Sequence, residues 1–121
     1  MRPQSAKAKG RRLQQEVAEA IVAASKGHLE PDDVRSTSMG APGEDILLSP
    51  SARRLFPFSI ECKNVEKLNI WEAINQAKSQ NRDHKPMVCF KKNGEEIYVA
   101  ITLQDFLEVR ARSIPERSTD V

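Results

Sequence analysis

The run Phe58-Ser59-Ile60-Glu61-Cys62-Lys63 constrains the fold more than any other stretch of the chain. Alternate side chains of a strand share a face, so Phe58, Ile60 and Cys62 point one way and Ser59, Glu61 and Lys63 the other. The apolar set needs a layer of structure to cover it. The other face then carries an acid and a base two residues apart, with their charges side by side. A glycine loop ending in Gly43-Glu44-Asp45 leads into the preceding strand, so Asp45 is expected to join them. Two carboxylates and an ammonium would meet at one place.

The elements around this strand follow from pattern. Leu13, Val17, Ala20, Ile21 and Ala24 recur at helical spacing and predict a helix from Arg11 to about Ser25, ended by Gly27. Glu16 falls at the edge of that stripe, where a carboxylate could reach over the sheet. Short strands are expected at Val34 to Ser38 and Asp45 to Ser49, and a turn or helical turn at Ser49 to Arg54. Asn69 reads as the N-cap of a helix with Glu72 three residues on, running to about Ser79. Met87 to Phe90 and Ile97 to Ile101 flank Asn93-Gly94, a hairpin signal. Thr102 caps a last helix with Asp105 at its third position. The order α-β-β-β-α-β-β-α predicts an α/β fold, a central mixed five-stranded sheet flanked by helices. Residues 11–114 form the one domain expected, with 1–10 a flexible basic arm and 115–121 a frayed tail.

Charge is informative through its distribution, since the net is only +2. Arg2, Lys7, Lys9, Arg11 and Arg12 crowd the first dozen residues without an acid among them. Arg53-Arg54 and Lys91-Lys92 add two further basic pairs. Such patches suit a chain that holds a polyanion, or equally a solvated tail. No stretch approaches the ~20 apolar residues of a membrane span, which excludes a helical membrane protein. Cys62 and Cys89 sit in apolar runs without a C-x-x-C pair, so they read as buried thiols of a reducing, cytoplasmic compartment. Together with His84 they would lack a fourth ligand for a metal.

Asp45, Glu61 and Lys63 have the chemistry for metal-assisted phosphodiester hydrolysis. Mg²⁺ prefers oxygen, commonly one or two carboxylates plus waters and substrate oxygens. The Cys62 backbone carbonyl, between Glu61 and Lys63, is a third candidate ligand, and Glu16 a further one. Mn²⁺ would substitute. Lys63 could orient or help deprotonate an attacking water.

Taken together, Lys9-Gly10-Arg11 through Glu16, Ser36-Thr37-Ser38, Gly43-Glu44-Asp45-Ile46, Ile60-Glu61-Cys62-Lys63 and Gln76 resemble the PD-(D/E)xK nucleases, and within them the small Holliday junction resolvases of archaea and phages. The resemblance covers roughly residues 9–80 and implies a restriction-endonuclease-like fold. It implies an active site of Glu16, Asp45, Glu61 and Lys63, with Gln76 near the scissile phosphate and Ser38 beside the DNA backbone. Lys7, Lys9, Arg11, Arg12, Arg35, Ser36, Arg53 and Arg54 are the further DNA-contacting candidates. The partner implied is branched, four-way DNA cut by a homodimer in the cytoplasm, the host's if a phage encodes the chain. Glu44 stands where the family carries proline and competes with Asp45 as a ligand. The alternatives are a nicking or flap-type nuclease of the same superfamily, a non-catalytic DNA-binding module, and a small structural protein with incidental charges.

Overall fold

The computed structural model describes residues 3–37, 42–80 and 83–118. Its elements are α1 (Pro3–Ala24), a 3-10 turn (Pro31–Asp33), β1 (Val34–Ser36), β2 (Ile46–Leu48), α2 (Pro50–Leu55), β3 (Phe58–Asn64), α3 (Ile70–Gln80), β4 (Lys85–Lys91), β5 (Tyr98–Ala100) and α4 (Leu103–Ala111). The α/β class is as expected, with α2 the one helix added to the order.

The single five-stranded sheet is not found. The strands form two sheets, an antiparallel β1-β2 pair and a three-stranded β3-β4-β5 sheet. In the latter, β4 runs parallel to β3 and antiparallel to β5. One rung links the two sheets, the Asp45 N–H donating to the Ile60 carbonyl at 3.1 Å. The next donor on that edge of β3 is the Cys62 N–H, and it donates instead to the Asp45 carboxylate at 2.7 Å. A side chain thus occupies the place of the second rung, and the ladder stops at the residues that carry the charges.

Both faces of β3 are covered. α1 lays Leu13 and Val17 over Phe58, Ile60 and Cys89, in a core completed by Leu29, Val34, Ile46 and Ala52. α3 packs across the opposite face, with Ala73 and Ala77 against Val88. Glu61 stands opposite Val88 and Lys63 opposite Phe90, so the polar face of β3 lies under α3 and not in water. Ser59 and Glu61 are therefore buried, at 1% and 3% exposure. Burying Ile46 and Ile60 to the same degree contributes about 2–3 kcal/mol apiece.

α1 begins at Pro3, so residues 3–10, expected as a flexible arm, form its first turns. Ala6, Lys7, Ala8 and Lys9 are strong helix formers, and proline is tolerated in a first turn where its missing N–H has no partner to lose. Periodicity overlooked this segment because it overhangs the core and needs no apolar face. The helix ends as expected, with Ser25 Oγ accepting the Leu29 N–H at 3.1 Å and Gly27 turning back at φ +87°. Asn69 Oδ1 accepts the Glu72 N–H at 3.1 Å, and Thr102 Oγ1 the Asp105 N–H at 2.9 Å, so both side chains cap as the sequence indicates. Gly94 takes the positive φ of the β4-β5 turn. Residues 115–118 are exposed and irregular. Among the described residues no helix is long and apolar enough to cross a membrane.

Candidate active site

Gly43 holds φ at +96°, a conformation other residues enter only with strain, and the two acids that follow it diverge. Glu44 turns into the protein, where its carboxylate pairs with Arg53 at 2.5 Å. Arg53 also donates to the Phe58 carbonyl at 3.2 Å, fastening α2 to the start of β3. Asp45 turns the other way. Its carbonyl accepts the Thr37 N–H at 3.0 Å, its N–H bonds Ile60, and its carboxylate accepts the Cys62 N–H. Three bonds, one to the end of β1 and two to β3, fix this residue before any ligand arrives.

Asp45 opens onto a cleft of about 380 Å³ at the free edge of β3. Glu61, Cys62 and Lys63 form its floor. Gly10 and Gln14 of α1 wall one side, Gln76 and Gln80 of α3 the other, and Pro42 and Gly43 the rim. Apolar grooves of about 290 and 360 Å³ lie elsewhere; this cleft is lined mostly by polar atoms. Lys63 Nζ stands 3.4 Å from Glu61 Oε1.

The electrostatics of this floor are those of a site short of positive charge. Burial, then the neighbouring Asp45 charge, push the Glu61 carboxyl up to about 7 despite Lys63. Burial raises Asp45 as well, against the opposing pull of the Cys62 N–H and Lys63. Glu61 Oε2 is buried with no hydrogen-bond partner, and so is Gln14 Oε1, whose residue is 4% exposed. Both are oxygen acceptors lining one cleft, and buried acceptors are rarely left unpaired. A divalent cation suits this chemistry, because it would offset the paired carboxylates and give a buried oxygen a partner. The donors on offer are two carboxylates, the Gln14 amide and the Cys62 carbonyl, a hard set suited to Mg²⁺. No three His, Cys, Asp or Glu side chains among the described residues converge on one point, and two carboxylates are enough for that ion. The thiols contribute nothing soft. A hydrogen bond with Cys89, then burial, hold the Cys62 thiol far above its usual range and protonated.

The cleft therefore unites Asp45, Glu61, Cys62, Lys63 and Gln76 of the residues singled out from sequence. Glu16 is not among its lining. It is exposed, because it lies two residues and about 200° round α1 from Gln14. Gln14 holds the position expected of Glu16, and the sequence carried a signal for it: a polar residue one place after Leu13 and three before Val17, inside the buried stripe. Gln80, one turn beyond Gln76, was also missed. Glu44 and Arg53 pair with each other outside the lining of the cleft, and Glu44 Oε1 is left buried without a partner. Arg54 is exposed and bonded to Ser51 in its own helix. Lys7, Arg11 and Arg12 are exposed and Lys9 half-buried on the N-terminal half of α1, whose Gly10 reaches the cleft. Arg35 is exposed and Ser36 half-buried on β1. Ser38 lies outside the described residues.

No family model, characterised protein or solved structure matches this chain.

Proposed function

We propose that this chain is a Mg²⁺-dependent endodeoxyribonuclease that hydrolyses phosphodiester bonds in branched DNA, foremost four-way junctions, as a homodimer in the cytoplasm. One observation carries the reading. Asp45, Glu61 and Lys63 meet in a polar cleft where two buried oxygens, on Glu61 and Gln14, have no hydrogen-bond partner. The metal, when bound, would polarise the scissile phosphate and acidify a water. Asp45 and Glu61 would hold it, with the Gln14 amide and the Cys62 carbonyl completing the protein's oxygens. Lys63 would position the attacking water and neutralise charge on the phosphate. Gln76 and Gln80, on the α3 wall of the cleft, would donate their amides to a DNA phosphate oxygen, and the cations of α1 would extend the grip along the backbone.

A non-catalytic DNA-binding module would have no need of two carboxylates kept together in a buried cleft at such electrostatic cost. The test uses labelled four-way junction, flap, single-stranded and duplex DNA, each with Mg²⁺, with Mn²⁺ and with EDTA. The wild type is expected to cut the junction preferentially in either metal, and Glu61→Ala and Lys63→Ala to lose at least a hundredfold in rate while still binding DNA. No metal-dependent cleavage of any substrate sinks the nuclease reading. Equal cleavage of all four leaves a nuclease and removes its preference for branches.

A further inference from the structure

The two sheets meet along one edge of β3. Backbone groups two residues apart in a strand point to the same edge, so Phe58, Ile60 and Cys62 offer successive places for a partner strand. The middle place is filled by the Asp45 N–H on the Ile60 carbonyl. At the Cys62 end the Asp45 carboxylate stands in for a strand, and at the Phe58 end the Arg53 guanidinium does. Arg53 Nη1 donates to the Phe58 carbonyl at 3.2 Å while Nη2 pairs with the Glu44 carboxylate. The one backbone rung is therefore flanked by two side-chain rungs, one made by Asp45 and the other made through its neighbour Glu44.

The rest of this connection is light. β2 has three residues, pairs with β1, and begins at Ile46, directly after the two acids. The Thr37 bond to the Asp45 carbonyl ties Asp45 to its own sheet and not to β3. Before the acids comes Gly43 at φ +96°, with open space where a side chain would stand, so nothing packs there to stop the chain from turning. The Glu44 side chain is 9% exposed, and a carboxylate so buried is stranded without its cation and would turn out to water. That turn would rotate the peptide it shares with Asp45 and draw the Asp45 carboxylate off Cys62.

We propose that Arg53 is a positioning residue of the metal site, holding Glu44 inside the protein so that Asp45, the next residue, keeps its carboxylate on β3 beside Glu61. This deepens the nuclease reading and rests on it for the metal, though not for the geometry of Asp45. A guanidinium suits the task, because its planar fork meets two acceptors at once where an ammonium meets them one at a time. The sign of the effect separates positioning from the other roles Arg53 could have. On charge alone, removing a cation would strengthen Mg²⁺ binding. A purely structural role would leave the affinity of the folded protein unchanged. Positioning requires that affinity to fall.

Calorimetric titration of Mg²⁺ into the full chain and its Arg53→Ala, Arg53→Lys and Arg54→Ala variants tests this, at a temperature where each is folded. Arg53→Ala is expected to raise the Mg²⁺ dissociation constant about tenfold or more, as when other groups that orient a metal ligand are removed. Arg53→Lys keeps Glu44 paired, and carries the test if Arg53→Ala does not fold. It cannot span both acceptors and should still weaken Mg²⁺ severalfold. Arg54→Ala removes the same charge from the same helix and should not weaken it. In the metal-free, isotope-labelled protein the Cys62 amide proton, bonded to a carboxylate, should resonate downfield of ordinary amides and return upfield in the Arg53 variants. Mg²⁺ affinity unchanged or tightened in the folded Arg53 variants, or a Cys62 amide that stays downfield in them, overturns the proposal. A wild type that binds no Mg²⁺ fails the nuclease reading instead, and the Cys62 amide then decides the role of Arg53 by itself.

Discussion

Replacing Glu61 with glutamine should make the metal-free protein more stable at pH 8 and less dependent on pH. In the unfolded chain the Glu61 carboxyl ionises near its ordinary 4.5, and in the fold burial and Asp45 lift it to about 7. Between those values the folded state keeps a proton that the unfolded state has released. Stability then falls as pH rises, by about 1.4 kcal/mol per unit, and the loss is complete above pH 7. Over the window this comes to about 3 kcal/mol. The side chain is 3% exposed, so little solvent screening reduces it. In a domain of this size that amounts to a melting shift of roughly 10 °C or more. The assay is urea denaturation of wild type and Glu61→Gln in EDTA, at intervals from pH 4.5 to 8.5. Groups other than Asp45 titrate alike in both proteins, so the difference between the two curves reports the Glu61–Asp45 pair. The wild type should lose about 3 kcal/mol relative to the variant across the window, and saturating Mg²⁺ at pH 8 should restore much of it. Parallel curves, within about 1 kcal/mol at every pH, would refute the argument that this carboxyl is buried beside a second one.

Gln14→Ala should change stability by less than about 1 kcal/mol, since an unpaired buried oxygen is removed along with the volume. It should raise the Mg²⁺ concentration that half-shifts the melting temperature about tenfold, and an unchanged midpoint would dismiss Gln14 as a ligand or its support. Arg53→Ala should cost about 3 kcal/mol by stranding the buried Glu44 carboxylate, while Arg54→Ala, with its bond inside α2, costs under about 0.5 kcal/mol. Equal losses in urea titrations would contradict this division of the two arginines. Removing the cap in Thr102→Ala should destabilise by about 1 kcal/mol, and a neutral result would mean that the Lys85 ion pairs and the packing of Val109 hold α4 without it.

Local features of the fold were legible because their causes are local. The alternation in Phe58 to Lys63 assigned the two faces of β3, and the caps at Asn69 and Thr102 and the Asn93-Gly94 turn each act within four residues. Asp45, Glu61 and Lys63 were readable because a strand puts i and i+2 on one side, and a glycine loop announced the strand beside it. Glu16 misled because a helix rotates 100° per residue, so a stripe judged two residues out of phase exchanges an exposed glutamate for a buried glutamine. The same ambiguity hid the role of Arg53, whose partner Glu44 is nine residues away and meets it only after Gly43 turns the chain.

By itself the sequence determined the elements, their order and the polar face of β3, all consequences of periodicity and of side chains bonding to nearby backbone. Tertiary structure decided where that face would lie. α3 covers it, which buries Glu61 and raises its affinity for a proton. The Asp45 carboxylate takes the Cys62 N–H, which divides the expected five-stranded sheet in two and opens the cleft at the break. Burial and hydrogen-bond competition depend on groups brought together from distant parts of the chain, and no window of sequence contains them.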